Sequence, residues 1–137
     1  MEKQYTCPLC GGHLRIRENI IFLAKNKKHE KGIILLHSEI GNYQSIKHPS
    51  FEFEEGELLE FLCPICHKSL ASDFDDRLTH VLLEEKGEKF DIYFSRIAGE
   101  QSTYKVDSNK VVTATGVHAD RYTYFKMSDR FKRYLRM

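Results

Sequence analysis

Two short stretches of this 137-residue chain repeat one pattern, and together they hold all four of its cysteines. Tyr5-Thr6-Cys7-Pro8-Leu9-Cys10 is followed after three residues by Leu14. Phe61-Leu62-Cys63-Pro64-Ile65-Cys66 is followed at the same interval by Leu70. Both fit aromatic-x-Cys-Pro-aliphatic-Cys-x-x-x-Leu. The echo is too short for a solenoid repeat and reads as two copies of one ligand-bearing turn.

Elementary chemistry accounts for each position. Two residues between cysteines let a tight turn aim both sulfurs at one ion, about 2.3 Å away for zinc. Proline after the first cysteine fixes a backbone angle and narrows the unfolded ensemble of the turn. Four thiolates around a divalent ion leave a formal charge of minus two, so backbone N–H groups aimed at sulfur are expected to offset it. The residue after the second cysteine needs a left-handed backbone. Gly11 adopts it freely, and His67 belongs to the side chains enriched there.

The first residues, Met1-Glu2-Lys3-Gln4-Tyr5, lack the apolar stretch of a secretory signal, and no apolar run is long enough to span a bilayer. The expected setting is cytoplasmic, without membrane association. Thiols stay reduced there, so two close cysteine pairs point to metal ligation rather than to two disulfides. Redox-active Cys-x-x-Cys pairs sit at helix N-termini. Gly11-Gly12 after Cys10 is poor helix sequence, which argues against a dithiol oxidoreductase.

Here the chain resembles the zinc-ribbon proteins, including rubredoxin-like members, which grip a metal between two such turns, called knuckles. The resemblance implies Cys7, Cys10, Cys63 and Cys66 as ligands of Zn2+, with iron as the alternative metal. It implies no particular partner or activity. Residues 11–62 between the pairs exceed what many compact ribbons use, so an elaborated sheet is expected.

The remainder reads as mainly β: a zinc-ribbon-type antiparallel domain over residues 1–137, without a proline-rich linker to divide it. Apolar runs Ile20–Leu23 and Ile33–Leu36 flank a polar loop and predict a hairpin. Further strands are expected at Tyr43–Ile46, at the alternating Phe51–Glu54, at Glu57–Leu62, Leu78–Glu84, Phe90–Ile97, Ser102–Val106, Val111–Thr115 and Tyr122–Phe125. A short helix is expected in a basic tail over residues 126–137, with Ser128 as N-cap and Phe131, Tyr134 and Leu135 on one face.

The other chemistry-bearing residues are weak candidates. His13 and His67 flank the knuckles, but four cysteines already complete a closed site. His29, His37, His48, His80 and His118 lack metal spacing. No nucleophilic triad or phosphate loop stands out, and the chain is not expected to be an enzyme. Net charge is +1, yet its distribution is uneven. Glu52, Glu54, Glu55, Glu57 and Glu60 crowd one stretch, followed by Asp73, Asp75 and Asp76. Arg121, Lys126, Arg130, Lys132, Arg133 and Arg136 gather at the other end among aromatic residues. The leading expectation is a metal-stabilised module for protein interaction or regulation. The alternatives are a nucleic-acid binder using Arg130, Lys132, Arg133 and Arg136, and a rubredoxin-like iron electron carrier. A homodimer joining acidic and basic regions is a further expected arrangement.

Overall fold

The computed structural model describes residues 3–73 and 75–118, and their regular structure is entirely strand. The strands are β1 (Gln4–Thr6), β2 (Arg15–Ile16), β3 (Asn19–Lys25), β4 (Lys31–His37), β5 (Ser45–Lys47), β6 (Glu60–Leu62), β7 (Leu78–Glu85), β8 (Glu88–Ser95), β9 (Thr103–Val106) and β10 (Val112–Thr115). The expected C-terminal helix, the basic tail and the strand at Tyr122–Phe125 lie outside the described residues.

Two antiparallel sheets form. One runs β1-β7-β8-β9-β10. The other runs β2-β3-β4-β5, with β6 also pairing to β3. Each sheet is built on a long hairpin. In β3, Ile20, Phe22 and Ala24 are buried and alternate with partly exposed neighbours, the period-two pattern of a half-buried strand. The β3–β4 loop is organised by the buried Asn26, whose Oδ1 accepts the N–H groups of Lys28 and Glu30, each at 3.0 Å. The β7–β8 turn needs only Lys86 and Gly87. Both have positive φ, 53° and 81°, as a two-residue turn matching strand twist requires. Phe90, Ile92 and Phe94 share the core-facing side of β8. Phe22, Phe61 and Phe94 meet with ring centroids 5.5 to 5.7 Å apart, joining β3, β6 and β8 across the core.

One expectation fails. Phe51–Glu54 alternates as a strand should but forms none. Its groups find local partners instead: the Phe51 N–H donates to the His48 carbonyl at 3.0 Å, and the Asn26 Nδ2 donates to the Glu52 carbonyl at 2.9 Å. Phe51 is buried as a wedge over Gly32, where an added Cβ would lie 2.6 Å from its ring. The strand expected over Glu57–Leu62 is limited to Glu60–Leu62, preceded by an isolated bridge between Leu58 and Ile97.

The likeness between the two cysteine stretches extends beyond the turns. Each is a strand, a turn, a short return and then a long hairpin, and each half lends its first strand to the sheet of the other. β1 pairs with β7, matching Tyr5 to Leu83, while the return strand β2 pairs with β3. In the second half β6 pairs with β3, matching Phe61 to Ala24, while the return segment bridges to β7 through Ala71 and Thr79. Equivalent hydrogen bonds mark the correspondence. The Leu14 N–H donates to Tyr5 O at 2.8 Å, and the Leu70 N–H to Phe61 O at 2.9 Å. Leu14 O then accepts from the Ile21 N–H at 2.9 Å, and Leu70 O from the His80 N–H at 2.8 Å. The two halves are interlocked by this exchange, and the cysteine turns follow directly on the exchanged strands β1 and β6.

Candidate metal centre

Each cysteine turn is held open by its own backbone. The Cys7 N–H donates to Gly12 O at 2.9 Å and the Cys63 N–H to Lys68 O at 3.0 Å. The Gly11 N–H and the His67 N–H close back on the carbonyls of Cys7 and Cys63, each at 2.9 Å. This closure requires the left-handed conformation anticipated from sequence, and Gly11 and His67 have φ of 74° and 64°. Gly11 meets it at no steric cost, whereas His67 carries a Cβ into a region disfavoured for most side chains.

The same closure turns N–H groups toward sulfur. Cys7 Sγ accepts from Leu9 at 3.3 Å and from Cys10 at 3.4 Å. Cys63 Sγ accepts from Ile65 at 3.3 Å and from Cys66 at 3.4 Å. The Gly12 N–H adds a contact to Cys10 Sγ at 3.4 Å. These dipoles offset negative charge on sulfur without a charged side chain. The first cysteine of each turn is buried, while Cys10 is exposed and Cys66 intermediate, so the site lies at the rim of the core with one side toward water.

All four Sγ atoms lie within 4.8 Å of one another. Across the turns, Cys7 Sγ is 3.9 Å from Cys66 Sγ, and Cys10 Sγ is 3.8 Å from Cys63 Sγ. A disulfide would need about 2.0 Å. A tetrahedron of sulfurs each about 2.3 Å from a central zinc has edges of about 3.8 Å. The donor set and its spacing therefore fit a four-coordinate metal ion. Neither family models, nor curated proteins, nor solved structures match this chain. Its geometry alone carries the reading of the site.

Burial pushes the Cys7 thiol up to about 12, against the pull of the Cys10 and Leu9 N–H groups. A nucleophilic or redox-active cysteine has the opposite shift. Such a thiol is a poor nucleophile, and a metal ion bound there would take the place of its proton.

His13 forms a bridge with Thr6 beside the first turn, and no described histidine joins the four-cysteine cluster. Several of the acidic residues are partnered. Glu57 accepts the N–H groups of Glu54 at 3.0 Å and of Lys27 at 2.8 Å, which holds its carboxyl below the usual range. Glu54 pairs with Lys27 at 3.4 Å, Glu60 with Lys25 at 4.0 Å and Asp75 with Arg77 at 2.8 Å. One pair escaped the sequence reading. His80 Nε2 lies 2.7 Å from Asp91 Oδ1, with its ring stacked 4.7 Å from Tyr93. His80 and Tyr93 are paired residues of β7 and β8, a relation visible only once strand register is known.

Proposed function

We propose that Cys7, Cys10, Cys63 and Cys66 hold one zinc ion in a structural site, within a non-catalytic module of zinc-ribbon type that works through contact with a protein partner. The observation that carries this reading is the convergence of four sulfurs from two distant turns within 4.8 Å of one another. A closed shell of four thiolates leaves no coordination position for a substrate, which supports a structural task over catalysis. Iron satisfies the same donors, and zinc is preferred because a metal joining two interlocked sheets needs no redox change to do its work.

Surface chemistry supports the partner half of the reading. Leu9 and Ile65, at matching positions in the two turns, are exposed beside the sulfurs. Ile16, Ile33 and Ile46 are exposed on the sheet carried by β3 and β4. By strand register these three isoleucines share one face of that sheet, and an apolar exposed face supports a contact site. The competing nucleic-acid reading depends on Arg130, Lys132, Arg133 and Arg136. Titrating the full chain with single-stranded RNA and DNA across a salt series separates the two. Absence of binding at low salt is expected. Salt-sensitive binding that disappears when those four residues become alanine would replace the protein-contact reading.

A further inference from the structure

The exchanged strands β1 and β6 join the two sheets, β1 pairing with β7 and β6 with β3. Beside β6, at the ends of β4 and β8, lies a cavity of about 170 Å³. Its walls include Leu36, Phe53, Phe61, Phe94 and Ile97, and the 98–102 loop forms its rim. The one cation among the lining residues is Arg96. Two of its N–H donors are held by backbone carbonyls, Nε by Leu59 O at 2.8 Å and Nη1 by Asp76 O. No described carboxylate pairs with it. A guanidinium has five donors in a planar fork suited to carboxylate. Held in place by carbonyls and without a counter-ion among the described residues, it offers further donors to an anion at the edge of an apolar space. Glu100 on the same rim has a partner of its own.

We propose that this cavity binds a small amphipathic carboxylate, its apolar body among Phe53, Phe61 and Phe94 and its head on Arg96. The volume limits the class. A cavity of about 150 Å³ holds a benzene-sized body, whereas drug-sized ligands occupy roughly 300 Å³ or more. An arene carboxylate or a chain of about eight carbons fits, and a long-chain lipid does not. This site is separate from the cysteine cluster in chemistry, so its failure would leave the metal reading untouched.

The test uses full-length, metal-loaded protein titrated with octanoate, benzoate and 1-octanol by calorimetry, with amide shifts followed by NMR. Saturable octanoate binding is expected, at least tenfold tighter than 1-octanol, with the largest shifts over residues 96–102. Arg96→Gln is expected to bring acid and alcohol to equal affinity. Ala98→Leu, which fills the rim, is expected to abolish binding of both. Retained metal content and melting temperature report whether the variants fold. The acid–alcohol comparison on the unaltered protein needs no variant. The proposal is overturned if neither carboxylate saturates at millimolar concentration, if the alcohol binds as tightly as the acid, or if the shifts fall away from the cavity.

Discussion

Cys10→Ser separates a metal ligand from an ordinary surface residue by an order of magnitude. Cys10 is exposed, and its sulfur receives one long contact from the Gly12 N–H at 3.4 Å. Exposed substitutions of this kind normally change stability by about 0.5 kcal/mol or less. As a ligand, Cys10 helps tie the first turn to Cys63, closing residues 11–62 into a loop. Cross-linking a loop of that size restricts the unfolded chain by about 4 kcal/mol, between the values for short and for hundred-residue loops. That is a large part of the roughly 5–15 kcal/mol available to a typical domain. At about 3–5 °C per kcal/mol for a chain of this length, the melting temperature should fall by about 12–20 °C.

Melting of the parent protein and of Cys10→Ser, each with and without chelator, forms a complete cycle. The gap should be wide in metal-loaded protein and shrink to about 2 °C or less once both are stripped. Buried Cys63→Ser should show the same metal-dependent gap plus a smaller residual one, because its thiol also fills core space. Equal gaps with and without chelator would refute the cross-link. So would a Cys10→Ser protein that melts with the parent while retaining its metal.

Three further outcomes follow from the packing. Thr79 is fully buried and its Oγ1 has no hydrogen-bond partner among the described residues, so Thr79→Val should raise stability by about 1 kcal/mol in denaturant titration, and a loss would show that the hydroxyl is satisfied. Tyr5 is buried with its O–H donating to Ser38 O at 2.7 Å, and burial, reinforced by Glu85, pushes its pKa up from 10 to about 12. The folded state favours the neutral phenol, so this stability is complete below pH 10 and is lost between pH 10 and 12, at about 1.4 kcal/mol per pH unit. Tyr5→Phe should cost about 1 kcal/mol at pH 7 and lose less than the parent in alkaline melts, whereas parallel alkaline slopes would contradict the assignment. Because each half completes the other's sheet, fragments 1–55 and 56–137 should regain strand signal in circular dichroism on mixing with zinc. Recovery with chelator present would mean that strand exchange alone suffices.

The four-cysteine cluster was legible from sequence because its information is local. Cysteine spacing, the proline and the left-handed residue define each turn within a few positions, and Gly11 and His67 adopt the conformation their places demanded. The long hairpins were legible for a similar reason, since the apolar runs Ile20–Leu23 and Ile33–Leu36 around a polar loop and the turn at Lys86-Gly87 are local features. Phe51–Glu54 shows the limit of such reading. Its alternation resembles a strand, but whether a ladder forms depends on a free edge, and Asn26 and His48 hold its groups in a loop. The interlocking of the halves was hidden because pairing of β1 with β7 and β6 with β3 is decided by distant register. A trace of it was present: Tyr5 and Phe61, with Leu14 and Leu70, extend the match beyond the cysteines and mark the positions whose hydrogen bonds coincide. The cavity at Arg96 had no local signature, because its walls come from four separate stretches of chain.

The most direct measurement is the metal content and sulfur environment of freshly purified, reduced protein, by elemental analysis combined with X-ray absorption at the metal edge. One zinc per chain surrounded by four sulfurs at about 2.3 Å is the expected result. Protein that folds with no stoichiometric metal, or a metal with fewer than four sulfur neighbours, would contradict the cross-linked cluster on which the account rests.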